Sequence, residues 1–359
     1  MAETQILTSH DITAEQFDSQ AFVEYLDQLK LKPYMGMSTE AMIHVNESLS
    51  KSPGDAVTFN LAAQLDGAGV QGESDMEGNE ESLVFYGQRV TLEEWKNAVR
   101  LAGQLTEQRS PFEIKSVAKP NLTAWMAHLV EQQAFDAMAS INGTRYQDAS
   151  ESAKDSFLAS NSDRFLFGAA VSNNASNDHS AALLNVDGTT DVLTTAMISL
   201  MKRLAQLGDP KIRPIRMENG QEIYVLFAHP LACRDLKNTD SWKNAQQYAQ
   251  PRGDSNPLFT GAIGSWDGVV VVESPKVLLL DNVGNGGTTD VSANFLCGAQ
   301  ALLMAQGAYG GSRVKMTEKL FDYDSKWGCQ IKSMHRIVKA IFNSKQHGIV
   351  TGYTAAVAD

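Results

Sequence analysis

Two strand-patterned runs enclose a segment that cannot pack, and no other feature limits the possible folds of this chain as much. Val57, Phe59 and Leu61 alternate with Thr58 and Asn60, the period-two pattern of a half-buried strand. From Asp66 to Glu81 the sequence is DGAGVQGESDMEGNEE, with six carboxylates and neither Lys nor Arg. Such a stretch has too little apolar surface to offset the entropy of ordering it in a core. Leu83-Val84-Phe85-Tyr86 then reads as a returning strand. The simplest solution is a long hairpin with an acidic, glycine-rich tip standing away from the body. A loop of that length in a compact domain is uncommon and usually functional, although an ordinary surface loop has the same composition.

The rest of the chain supplies that body. At 359 residues it is long enough for two lobes, and 43% hydrophobic with 20% charged residues fits a folded protein. No apolar run reaches the length of a bilayer span. The first 20 residues lack a basic region followed by an apolar core, so no secretory signal is read there and no removed pro-segment is expected before Met1. Net charge is -12, which disfavours contact with phosphate backbones. No basic patch stands out along the sequence, as a dedicated nucleic-acid binder would need. An acidic wall is nevertheless compatible with enclosing DNA that must not stick. Cys233, Cys297 and Cys329 are odd in number and far apart, which argues against a disulfide framework or zinc site and fits a reducing compartment. The Asn142-Gly143-Thr144 pattern is a chance match without a secretion signal.

Periodicity predicts a mixed α+β fold. Residues 1–50 read as an arm: Phe22, Tyr25, Leu26 and Leu29 mark a short amphipathic helix, broken at Pro33 and Gly36, that packs elsewhere on the protein or on a neighbour. Thr91-Leu92-Glu93-Glu94 has capping-box spacing, and Leu92, Trp95, Val99 and Ala102 then predict a helix. A second helix, about 30 Å long, is expected from Pro120, with Leu122, Trp125, Met126, Leu129, Ala137, Met138 and Ile141 on one side and Gly143 as its stop. Residues 150–185 read as mostly connecting structure. Asp191 is the expected N-cap of a helix carrying Leu193, Met197, Leu200, Leu204 and Leu207, stopped by Gly208 and Pro210. Strands are expected at 222–228, 269–273 and 277–280, within an α+β lobe around 155–310. After Gly310 the chain turns charged and polar and closes on HGIVTGYTAAVA, a strand.

Catalytic signatures are missing: there is no G-x-S-x-G, H-E-x-x-H or Walker loop. Gly67, Gly69 and Gly72 form a G-x-G-x-x-G, but ESDMEGNEE follows where a phosphate-binding helix should open. Asp322 and Asp324 could share a metal, yet such pairs are common on surfaces. Gly284-Asn285-Gly286-Gly287 could cradle a phosphate but lacks a following Lys and reads more simply as a turn. His229 would need a nucleophile beside it to act as a base. Trp242, Tyr248, Trp266 and Trp327 are either interface anchors or caps on the local core.

Two blocks carry a resemblance. One is KSPGDAVTFNLAAQLDGAGVQGESDMEGNEESLVFYGQRVTL, Lys51–Leu92. The other runs from His229 to Lys276, through HPLACRDLKNTDSWKNAQQYAQ and NPLFTGAIGSWDGVVVVESPK. Their order and spacing resemble the tailed-phage major capsid family related to the coat protein of coliphage N4. The shared elements are a G-D-x-V-T-F strand, an L-x-G-x-G-V turn, an E-G-N-E-E loop and an N-P-x-F-T-G-x-x-G-x-x-D-G-V segment. FLFGAAVSNN, Phe165–Asn174, also fits.

The resemblance implies the Johnson fold: an N-terminal arm (1–50), an extended hairpin or E-loop (51–92), a peripheral lobe with a long spine helix (93–155 and 311–359) and an axial lobe (156–310). It implies no enzyme, no cofactor and no metal. The chain would be a shell protein that assembles with itself into pentamers and hexamers, in the virion of a bacteriophage built in the host cytoplasm. Scaffolding and portal proteins, and a decoration protein, are its implied partners, and double-stranded DNA is enclosed without sequence-specific binding. No membrane is involved. Glu77, Glu80 and Glu81 are expected to meet basic groups on the next subunit, with Arg89 and Trp266 as further inter-subunit contacts. Two other readings stand beside this one: a cellular nanocompartment shell of the same fold, and a hydrolase using Asp322, Asp324 and His229.

Overall fold

The computed structural model describes residues 30–357 apart from 51–53, 66, 68, 73–74, 110–112, 218–219, 249–261 and 309–311. Phe22, Tyr25, Leu26 and Leu29, and residues 256–261 of the second motif block, lie outside the described residues. Along the chain come β1 (Met35–Gly36), β2 (Ile43–Asn46), β3 (Ala56–Ala62), β4 (Phe85–Thr91) and β5 (Glu94–Arg100). Helices α1 (Gln104–Arg109), α2 (Ile114–Ala139) and α3 (Glu151–Ser160) follow, then β6 (Phe165–Phe167), α4 (His179–Leu184), α5 (Thr195–Leu207), β7 (Ile215–Arg216) and β8 (Glu222–Ala228). After α6 (Pro230–Asn238) and α7 (Asp240–Tyr248) come β9 (Ala262–Trp266), β10 (Val269–Glu273), β11 (Leu279–Leu280), β12 (Val291–Cys297) and β13 (Leu302–Gln306). The remaining strands are β14 (Val314–Phe321), β15 (Lys326–Lys339), β16 (Ile341–Phe342), β17 (Lys345–Gln346) and β18 (Ile349–Ala355).

The near-continuous apolar runs of β8, β10, β12 and β18 form the middle of an eight-stranded sheet, ordered β6-β18-β12-β8-β10-β9, with β11 on β12 and β7 on β8. Runs of this kind suit strands covered on both faces. The period of two divides them. Val225, Phe227, Phe295 and Val272 face one cluster with Phe135 and Met138 of α2. Tyr224, Leu226, Leu296 and Val271 face the other, with Met197, Ile198 and Met201 of α5 and Cys233 and Leu236 of α6. The Asp267-Gly268 turn of the β9–β10 hairpin has positive φ at both residues, which is why a glycine stands there.

The second sheet is built around β15. Its order is β1-β2-β13-β15-β14, with β5 also on β15. Alternate β15 residues point at α2, so strand and helix lie side by side over their length. Trp327, Cys329 and Ile331 pack on Ala118, Leu122 and Met126. Further along, His335 Nε2 meets Gln133 Oε1 at 2.8 Å. At the end of the strand, Lys339 Nζ donates to Ser140 O at 2.9 Å.

Several expectations change. The helix expected after Leu92 is β5: residues four apart share a face in a helix and in a strand alike, and β15 offers seven partners in register from Gly328 to Met334. Helix α2 begins at Ile114, and Pro120 lies inside it, because Ile114 and Ala118 reach the Trp327 cluster. Its 26 residues make it about 39 Å long. Thr194, not Asp191, caps α5. Asp191 is buried and accepts from Ala169 N and Asp187 N instead. Residues 150–185 hold α3 and α4, capped by Ser150 and Asp178. Of 277–280 only Leu279–Leu280 pairs, because Val277 N closes a turn onto Ser274 O. The charged stretch after Gly310 forms β14 and β15. Part of the expected arm is core: Ile43 is fully buried, and β2 adds in parallel to β13.

The N-terminal segment is tied to α2 by Glu131, only 4% exposed. Its carboxylate accepts from the amides of Lys30 and Leu31 and pairs with Lys276 Nζ at 2.7 Å. Tyr34 then lies edge-on to Phe227, with ring centroids 5.8 Å apart, and Phe135 approaches the same ring at 5.6 Å.

Phe227→Ala should therefore cost about 3–5 kcal/mol of unfolding free energy, read from urea titrations; a loss below about 1 kcal/mol would contradict this packing. Burial lowers the pKa of His179 and His335 from 6.5 to about 4. The unfolded chain takes up these protons near pH 6.5 while the folded chain does not, so stability should fall as pH drops from about 6.5 towards 4. His335→Gln should flatten that slope in urea titrations at stepped pH.

Candidate functional site

The hairpin begins inside the protein and ends outside it. β3 and β4 pair antiparallel from Ala56↔Thr91 to Ala62↔Phe85. Val57, Phe59 and Val90 are buried at its base against Leu303, Ala305, Ala340 and Phe342. A two-stranded ribbon is marginal alone, so this base and one side chain hold it. Gln88 Nε2 donates to Lys339 O at 2.8 Å, and its Oε1 accepts from Ile341 N at 2.9 Å. The side-chain amide thus joins hairpin to body as a strand neighbour would.

Beyond the base the ribbon is bare. Ala63 N donates to Val84 O at 2.8 Å, and Gly67 N to Glu81 Oε2 at 2.8 Å, so the two arms stay together. Glu80 accepts from Gly78 N at 2.8 Å, in a turn where Gly78 has φ +88. Two of the three predicted contact carboxylates therefore shape the loop while remaining exposed, and Glu77 is exposed beside them. Arg89 pairs with Asp55 at 3.5 Å on the surface, where such pairs contribute little. Trp266 sits on another sheet, half-buried over the α5 cluster, and donates to Ser199 Oγ at 3.1 Å.

The sequence reading overlooked the apolar side chains of the tip. Leu65, Met76, Leu83, Val84 and Phe85 are all exposed, Phe85 to 67%. The sequence reads Leu83–Tyr86 only as a returning strand and assigns no role to Leu65 or Met76. The observed β4 starts at Phe85, and the body ends before it can cover them. Among the described residues β3 and β4 pair only with each other, and beyond the Gln88 contact their outer edges carry no further strand.

A basic surface also escaped sequence reading. Lys315 of β14 stands opposite Lys332 of β15, and Lys332 opposite Lys96 of β5. Three lysines thus form a row across three strands that are far apart in sequence.

The candidates for chemistry resolve into structural roles. His229 caps α6, its Nδ1 accepting from Leu231 N at 3.4 Å. Asp322 lies on the β14–β15 turn, where it pairs with Lys326 at 2.9 Å, and Asp324 follows in the same turn. The two are on a different sheet from His229. Gly284–Gly287 close a turn against Val186 O. Among the described residues, Glu151, Asp155 and Asp178 have ligand atoms within 4.8 Å of one another. These carboxylates are already engaged: Asp155 accepts from His179 N, Asp178 caps α4, and Glu151 pairs with Lys154. Trp242 is core, and Trp327 is core with its Nε1 on Glu318. All three cysteines are buried.

A family model described as phage capsid protein matches residues 6–358. The major capsid protein of Pseudomonas phage KPP25 is 28% identical over 350 residues, 90% of each chain. The capsid of cyanophage Pam1 superposes with a TM-score of 0.87 at 27% identity, covering 100% of both chains. The capsid of Ralstonia phage GP4 gives 0.78 at 22% identity over 99% of both, a likeness of fold alone.

Gln88→Ala would leave Lys339 O and Ile341 N without partners. Amide exchange in residues 56–62 and 85–91 should then rise at least about ten-fold while β8 and β12 stay protected.

Proposed function

The chain belongs to the phage capsid protein family, and on that premise we propose that its copies join into a closed icosahedral shell of pentamers and hexamers around double-stranded DNA. Its role is that of the major capsid protein of a tailed phage, on a Johnson-fold subunit. The nanocompartment reading gives way, since the matched family and relatives are phage capsid proteins. The hydrolase reading gives way too, since its three residues cap a helix and form a turn.

The observation that carries the assembly proposal is the hairpin. Among the described residues it combines exposed apolar side chains, strand edges without a partner strand and an acidic tip on a ribbon anchored at its base. Exposed apolar side chains gathered on one projection point to a docking partner. In the proposed subunit, residues 1–50 are the arm, 51–92 the extended hairpin, 93–155 and 311–359 the peripheral lobe and 156–310 the axial lobe. Strand pairing supports two exchanges: β13 goes with the β15 sheet, and β18 goes with the eight-stranded sheet. Glu77, Glu80, Glu81, Arg89 and Trp266 are its proposed inter-subunit contacts. Portal, scaffolding and decoration proteins are proposed partners, and assembly is proposed to occur in the host cytoplasm.

Electron microscopy of the purified full-length chain should show capsomers or shells. Replacing residues 64–82 with a short turn should leave a folded subunit with an unchanged melting temperature that no longer assembles. Shells formed without the tip would overturn its role.

A further inference from the structure

Lys339 ends β15 with its side chain turned inward and only 2% exposed. Its Nζ donates to Ser140 O at 2.9 Å, at the C-terminus of α2, and stands 5.3 Å from the centre of the Phe157 ring of α3. An ammonium has three protons to donate, and one carbonyl with one ring face replaces little of the water it has lost. Among the described residues no carboxylate pairs with it. The cavity beside it is lined by Ala139, Phe165, Phe295 and Tyr353. The titratable groups near it are the Cys297 thiol of β12 and the Tyr353 phenol of β18, and burial pushes both up, so both are neutral. Burial lowers the amine itself from 10.5 to about 7. A methionine or leucine would fill this space without that cost, so packing does not account for the amine.

The strand end that carries Lys339 is the least supported part of β15. β14 pairs with β15 only as far as Ser333, and β5 only as far as Met334. From His335 to Lys339 the strand has β13 on one edge. On the other edge His335 N donates to Glu93 O, and beyond that Gln88 bridges Lys339 O and Ile341 N. His335 lies on the same buried face, held by the uncharged Gln133 and Ser333. Phe157 and the end of α2 belong to the large core cluster. The strand end therefore yields before the helix does, and its movement takes both backbone partners away from Gln88.

We infer that Lys339 is a proton-operated clasp: uncharged, it holds the end of β15 against α2 and keeps the hairpin seated through Gln88, and protonated, it draws the strand end toward water and frees the hairpin base. The clasp belongs to the single subunit and does not depend on the assembly reading above. Its direction follows from linkage. The amine titrates near 10.5 once the strand end opens and near 7 while it is closed. Each unit of pH lost between these values favours opening by up to about ten-fold, and the effect levels off below about 7. His335 continues the trend, because burial lowers its pKa from 6.5 to about 4 and opening restores it.

Hydrogen exchange of the full-length chain, expressed as protection relative to the unfolded chain, reads the opening. Between about pH 9 and pH 7 the protection of residues 85–91 should fall at least about ten-fold. In Lys339→Met it should change by less than about two-fold over the same range and exceed that of the parent at pH 7. Gln88→Ala cuts the link, so residues 85–91 should lose their pH dependence while residues 335–339 retain it. Equal protection of 85–91 at both pH values in the parent overturns the inference. A pH dependence that survives Lys339→Met does the same, and so does one confined to 335–339 in the parent. Should Lys339→Met not fold, Lys339→Leu takes its place. A chain that folds with neither residue requires the ammonium, which also overturns the clasp. All of these outcomes leave the capsid reading standing.

Discussion

The lengthwise contact between α2 and β15 organises the rest of the molecule. A 26-residue helix and a 14-residue strand rise about 39 and 46 Å, so each can template the other for most of its length. β15 then serves as pairing partner to β5, β13 and β14, and through β13 to the N-terminal strands. The hairpin is hung from the far end of the same strand, at Lys339 and Ile341. Helix α2 gives its other side to the eight-stranded sheet through Phe135 and Met138.

Polar groups set the register of this contact. Cys329 and Ile331 could slide along an apolar helix face at little cost. His335 against Gln133 and Lys339 against Ser140 O could not, because a slipped register would leave buried donors without acceptors. Glu131 does the same for the entering chain, anchoring residues 30 and 31 while Lys276 balances its charge. Arg164, with no exposed surface, joins three segments through the carbonyls of Gln346 and Pro210 and the carboxylate of Asp163. A shell subunit benefits from a body defined in this way, because small angular errors in one copy are repeated in every contact around it. The hairpin differs in kind. Beyond Ala62 its described residues are held by a few backbone and carboxylate bonds, where the body is held by a packed core.

Much of the architecture was legible in the chain. The alternation at 57–61 and the one-signed segment after it identify a projecting hairpin, and the runs at 222–228 and 269–273 are strands at those bounds. The failures share a cause. Trp95 and Val99, four apart, satisfy helical and strand periods equally, and only β15 beside them selects the strand. Asp191 lies near enough to α5 to cap it, but Thr194 is nearer, and Asp191 is drawn to the amides of Ala169 and Asp187.

What the sequence alone determined about this protein was local: which segments are apolar enough to be strands, and which stretch could not enter a core. The motif order also marked its family, because those residues are neighbours in the chain. The tertiary structure decided what depends on residues that are not neighbours. Lys96, Lys315 and Lys332 become one basic row only when three strands pair, and Leu83, Val84 and Phe85 become an exposed apolar surface only because the body stops short of them. Charge and exposure are properties of a surface, and a surface exists only once the chain has folded.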